Sequence, residues 1–103
     1  MNTRLLRAFV TLAEKGNYAQ ASHALSVSQP ALTKQINLLE STLNVALFAR
    51  GRHGSVLTAA GQRLLPEAEK VLRQMAAFLQ HASLVEKGGE GLLAAGFGLS
   101  SFI

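Results

Sequence analysis

Two short runs group side chains suited to directed polar contacts. They are Ser28-Gln29-Pro30-Ala31-Leu32-Thr33-Lys34, with Asn37 just beyond, and Arg50-Gly51-Arg52-His53. Their chemistry is that of recognition. A Gln amide pairs with the N6 and N7 edge of adenine, and Thr donates or accepts toward several bases and can set its methyl against that of thymine. Lys and Arg attract phosphate. Catalysis lacks its parts: His23, His53 and His81 are far apart, Cys and Asp are absent, and no carboxylate stands at ligand spacing from any of the three. Neither a metal centre nor a nucleophile–base–orienter set is expected, so the chain reads as no enzyme, with no cofactor. The glycines of Gly51–Gly54 and Gly88–Gly91 match no phosphate-loop pattern.

The charge has a matching distribution. Over 103 residues the net charge is +4, which suits a polyanionic partner. Up to Thr58, Arg4, Arg7, Lys15, Lys34, Arg50 and Arg52 face only Glu14 and Glu40. From Ala59 to Lys87, Arg63, Lys70, Arg73 and Lys87 are nearly balanced by Glu67, Glu69 and Glu86. The electrostatic footprint therefore belongs to the first part. No apolar run reaches the roughly 18 residues a membrane span needs, and no signal-peptide pattern is present, so the expected setting is the cytoplasm with no membrane partner.

Elements must hold the two runs in place. Leu5, Leu6, Phe9, Val10, Leu12 and Ala13 recur at helical spacing, predicting a helix from about Thr3 to Lys15 that Gly16 closes. Asn17 with Gln20 reads as a capping box for a second helix, ending near Ser26, whose small face is Ala21, Ala24 and Leu25. Ser28 caps a third helix with Pro30 in its first turn, a buried stripe of Leu32, Ile36, Leu39 and Leu43, and Asn44 as a left-handed stop. Two helices joined so tightly make a helix-turn-helix. Phe48–Arg50 and Ser55–Leu57 are short strand candidates around a glycine-bracketed basic loop, a β-hairpin wing.

Rotation of about 100° per residue sets Pro30, Thr33, Lys34 and Asn37 opposite the apolar stripe, on the side that enters a major groove. Gln29, Pro30, Thr33 and Lys34 are the candidates for base readout, with Lys34 toward phosphate or a guanine edge. Asn37, Ser28 and the free N–H groups at Asn17 and Tyr18 are candidates for the DNA backbone. Arg50 and Arg52, with His53 as a helper or a solvated loop residue, would meet phosphate or the minor groove.

Thr58 caps a fourth helix running to about Lys87, which Pro66 should kink or loosen. Its apolar row Leu64, Ala68, Val71, Met75, Phe78, Ala82 and Val85 is flanked by Leu65, Leu72 and Leu79. The part through Ala68 belongs to the domain core. Val71, Leu72, Met75, Phe78, Leu79, Ala82 and Val85 outrun that core and are candidates for pairing with a second copy. Gly88–Gly91 is a linker by composition, and Leu92–Phe97 looks like a buried strand cut short. The fold class is thus mainly α: a winged helix-turn-helix, three helices with a β-hairpin wing, followed by a long linker or dimerisation helix. The expected division is 1–58 for the DNA-binding domain, 59–87 for the linker helix and 88–103 for a hinge and the start of a further domain.

Several strings carry a family resemblance across Leu5–Leu79. They are Phe9-Val10, Ala21-Ser22, Val27-Ser28-Gln29-Pro30-Ala31-Leu32, Gln35-Ile36, Leu38-Leu39-Glu40, Leu47-Phe48, Leu57-Thr58-Ala59-Ala60-Gly61 and Leu65-Pro66-Glu67-Ala68. The chain resembles the DNA-binding domain and linker helix of LysR-type transcriptional regulators. It departs from the pattern at Thr33, Lys34 and Ala19, where Ser, Arg and a hydroxyl residue are common. The resemblance implies a bacterial regulator that dimerises through the linker helix and binds interrupted palindromic DNA. A tetramer and a small-molecule effector would belong to a longer parent with a C-terminal domain, of which Gly91–Ile103 resembles the first strand. Two other readings remain open: a helical interaction module whose basic surface is incidental, and a non-specific nucleoid-type binder.

Overall fold

The computed structural model describes residues 2–92, with side chains as far as residue 86. The elements run α1 (Thr3–Lys15), α2 (Tyr18–Leu25), α3 (Gln29–Leu43), β1 (Phe48–Gly51), β2 (Gly54–Leu57) and α4 (Ala59–Leu92). This is the expected mainly helical winged architecture. It divides into two compact units, Met1–Leu72 and Arg73–Ile103.

Local chemistry sets the helix ends. Asn2 Oδ1 accepts the Leu5 N–H to open α1, and Gly16 closes it in the left-handed region, φ 83°, its N–H donating to Leu12 O. The Asn17, Ser28 and Thr58 side chains accept the N–H groups of Gln20, Ala31 and Gly61 at 2.8, 3.2 and 3.0 Å, one orphan donor satisfied at each start. Asn44, φ 60°, stops α3, and Ser26, φ 58°, makes the same left-handed turn after α2.

The core has two parts that share α1. Leu5 and Phe9 pack with Leu39, Leu47 and Ala68, flanked by Leu64 and Leu65 of α4. Ala8 and Leu12 pack with Ala21, Leu32 and Ile36. Phe48 borders both, with its ring edge-on to Phe9 at a centroid distance of 5.7 Å. Leu5, Phe9 and Leu12 of the α1 stripe and Leu32, Ile36 and Leu39 of the α3 stripe are buried, Leu6, Val10, Ala13 and Leu43 are half-buried, and Ala8 joins the α1 core.

Three details differ from the sequence expectation. Ala21 is buried but Ala24 is exposed, because a helix of eight residues covers only a narrow strip; Ser22 joins Ala21 instead, its hydroxyl donating to Ala19 O at 3.0 Å. Each wing strand gains a glycine, so Gly51 pairs with Gly54 and only Arg52-His53 remains as the turn. The α4 helix continues through Gly88–Gly91 to Leu92. Glycine lowers helix propensity by about 1 kcal/mol per residue, yet it keeps the N–H that the helical ladder needs. Pro66 lacks that group, but it and Gln62 are exposed, where water can replace the missing bond, and α4 runs through it. Beyond Leu92, the strand expected to reach Phe97 lies outside the described residues.

Candidate nucleic-acid interface

The α3 helix separates its two tasks by angle. Leu32, Ile36 and Leu39 are buried, while Gln29, Pro30, Thr33, Lys34 and Asn37 are all exposed. Ser28 is exposed too, its hydroxyl occupied as the cap of Ala31. A polar face of Gln, Thr, Lys and Asn, backed by a rigid apolar one, can present donors and acceptors at fixed heights along a groove.

The wing is held by backbone-level contacts that sequence spacing does not display. Ser55 N–H donates to Gly16 O at 3.0 Å, joining β2 to the corner between α1 and α2. Gly54 makes that approach feasible. It adopts φ 141°, and a Cβ there would overlap the Gly16 carbonyl oxygen and come within 3.3 Å of Asn17 Cβ. Thr58 ties the other end, donating its hydroxyl to Ala46 O at 2.6 Å and its N–H to Leu47 O at 2.9 Å. From α3, Glu40 Oε2 accepts the Leu47 and Phe48 N–H groups at 2.7 and 3.1 Å. Arg50, Arg52 and His53 extend from this anchored hairpin and are exposed.

The wing therefore stands beside the start of α2. A cleft of about 480 Å³ between them is lined by Tyr18, Phe48, Ala49, Arg50, Gly51, Gly54 and Ser55. The Tyr18 ring packs partly into the core, and burial, with a smaller contribution from the Glu40 carboxylate, raises its hydroxyl pKa above the ordinary value of 10.0. Tyr18 thus stays a neutral phenol. Because the Gln20 N–H is taken by Asn17, the first-turn donors left for an anion are main-chain groups nearer Tyr18 and Ala19.

Sequence reasoning missed Glu40, Gly54 and Gly61 as framework residues. Glu40 offered a signal, since it is one of two acids before Thr58 in a basic stretch. Farther on, Val71, Met75, Phe78, Leu79 and Val85 are exposed, Phe78 at 69%, and Ala82 is exposed with them, whereas Leu72 is half-buried. Leu84, also exposed, lies outside the predicted row.

Residues 3–62 match the family described as "Bacterial regulatory helix-turn-helix protein, lysR family". The chain belongs to the LysR family. Among curated relatives, the HTH-type transcriptional regulator ClcR of Pseudomonas putida is 46% identical over 72 residues, 70% of this chain and 24% of that protein. The crystal structure of CbnR, a LysR family transcriptional regulator, superposes with a TM-score of 0.82 at 38% identity, covering 85% of this chain and 30% of CbnR. The CbnR DNA-binding domain in its complex with DNA gives 0.78 at 37% identity, covering 84% of this chain and 99% of that domain. The chain thus spans about a quarter of the length of its full-length relative ClcR. Its similarity to the DNA-binding part of LysR regulators extends over nearly the whole of the compared domain.

Proposed function

We propose that this LysR-family chain is the sequence-reading head of a transcriptional regulator, binding duplex DNA as a homodimer. The α3 helix enters the major groove, where Gln29, Pro30 and Thr33 face base edges and Lys34 reaches phosphate in preference to a guanine edge. Asn37, the Ser28 cap and the α2 start at Asn17 and Tyr18 face phosphate, and Arg50, Arg52 and His53 of the wing reach backbone or minor groove. The observation that carries this reading is the wholly exposed polar face of α3 beside an anchored basic wing. Similarity to a DNA-binding domain crystallised on DNA supports it.

Dimerisation falls to Val71, Leu72, Met75, Phe78, Leu79, Ala82 and Val85. Six of these seven are exposed and recur at helical spacing on α4, more apolar side chain than a lone helix leaves in water. A two-fold pair of heads would read two half-sites, giving an interrupted palindrome. The chain acts by binding, without catalysis, in the cytoplasm where DNA is reached; no described helix is long and apolar enough to cross a membrane. A tetramer and effector control would require the rest of a longer protein.

Selection from a random duplex pool tests the proposal. The expected product is an enriched sequence with two related halves, bound with an affinity that falls steeply in salt. Six neutralised phosphates, from Lys34, Arg50 and Arg52 in each of two heads, give a log–log slope of about −5. An unenriched pool would leave a non-specific binder, and salt-insensitive or absent binding would leave the interaction-module reading.

A further inference from the structure

Glu40 is out of place on a basic head. Its charge opposes the approach of a polyanion, and only Glu14 shares that sign before Thr58. Its local role is specific: Oε2 alone accepts two main-chain donors, Leu47 N–H at 2.7 Å and Phe48 N–H at 3.1 Å. Phe48 is the first residue of β1 and pairs with Leu57, and Arg50 follows two residues later on the same strand.

We propose that Glu40 is a positioning residue that fixes the wing relative to the recognition helix, and so sets where Arg50 and Arg52 meet DNA. The inference rests on the DNA-binding reading above. A two-stranded hairpin with four residues in each strand has little stability of its own, so its position comes from docking. The other named ties join it to the α1–α2 corner through Gly16 and to its own base through Thr58. The Glu40 tie comes from the element that carries Gln29, Thr33 and Lys34. Its acceptor is charged, which makes both bonds stronger than neutral ones. Losing it leaves two part-buried N–H groups at the root of the wing without their partner, while the apolar seat of α3 at Leu32, Ile36 and Leu39 is unchanged.

The test is a double-mutant cycle on the full chain, using the duplex it enriches from a random pool. E40A is expected to weaken binding about tenfold, as removal of a charged acceptor from two donors warrants. E40Q keeps a carbonyl oxygen and should lose about threefold; it carries the test if E40A fails to fold, folding being checked by helical circular dichroism. In an R50A/R52A background the same substitutions should cost less than about twofold, because the wing no longer contributes. Hydroxyl-radical footprints should lose protection at the flanks and keep it at the bases facing α3. Undiminished losses in the R50A/R52A background, or wild-type binding by both Glu40 variants, would overturn the inference alone. A wild-type chain that enriches no duplex would overturn the functional reading, and this inference with it.

Discussion

Gly61→Ala reverses an ordinary expectation. Gly61 lies in the first turn of α4, and replacing a helical glycine by alanine normally stabilises by about 1 kcal/mol. Here the added Cβ would overlap the Leu47 carbonyl oxygen and sit 2.9 Å from Leu57 Cδ2 and 3.1 Å from Leu47 C. Two of the three obstacles are main-chain atoms, so no rotamer change relieves them. The α4 helix must move outward. That strains the Thr58 N–H bond to Leu47 O at 2.9 Å and the Thr58 cap of Gly61 at 3.0 Å. Overpacking costs about 1–3 kcal/mol and each weakened hydrogen bond up to about 1 kcal/mol. After the propensity gain, the net loss is about 2 kcal/mol. Urea denaturation at one fixed chain concentration measures it, since any dimerisation would otherwise enter the midpoint. Gly16→Ala is the control: its φ of 83° carries a conformational cost of about 1–2 kcal/mol, but nothing lies within 4 Å of the new Cβ. A Gly61→Ala chain as stable as wild type, or more so, would refute the close-approach argument.

Other perturbations probe separate parts. Gln29→Ala should reduce discrimination between the enriched duplex and a scrambled one by about 1–3 kcal/mol, with non-specific affinity nearly kept, as fluorescence anisotropy on both duplexes would report. Phe78→Glu sets a charge at the most exposed large apolar side chain among the described residues of α4 and should convert a dimer into a monomer by light scattering, with helicity retained. Tyr18 supplies a pH dependence. Its pKa is raised above 10.0 by burial first and Glu40 second, so its neutral form is favoured in the folded state. That contribution is complete below pH 10 and is lost as pH climbs through the folded pKa. Tyr18→Phe should therefore flatten part of the alkaline fall in the unfolding midpoint, and tyrosinate absorbance follows this group alone because the chain has one tyrosine.

Much of the fold was legible because its signals are local. Asn17, Ser28 and Thr58 each reach an N–H three residues on, and Gly16 and Asn44 turn the chain by their own φ, so caps follow directly from residue order. The outward face of α3 was equally readable, since helical rotation alone sets Thr33 and Lys34 opposite Leu32 and Ile36. The approaches that dock the wing were not. Gly54 meets Gly16, and Gly61 meets Leu47, across distances in sequence that no short-range pattern spans. The role of Glu40 was not readable from spacing because its partners are seven and eight residues away, past the end of its helix. Reading Gly88–Gly91 as a break treated low propensity as prohibition, and the helix continues through them.

The two halves of the candidate interface are held by different physics. On α3, the exposed polar face proposed for recognition and the buried face lie on opposite sides of one rod, so Gln29, Thr33 and Lys34 can vary with little effect on a core made by Leu32, Ile36 and Leu39. On the wing no such separation exists. Arg50 and Arg52 extend from a hairpin too small to define its own place, which is docked by Phe48 and Leu57 against the core and by contacts of a carboxylate, a threonine and two glycines. Changes that alter which bases are read should accordingly gather on α3. Changes that alter how far the contact extends along the duplex should include Glu40, Gly54, Thr58 and Gly61, residues that act by fixing backbone against backbone.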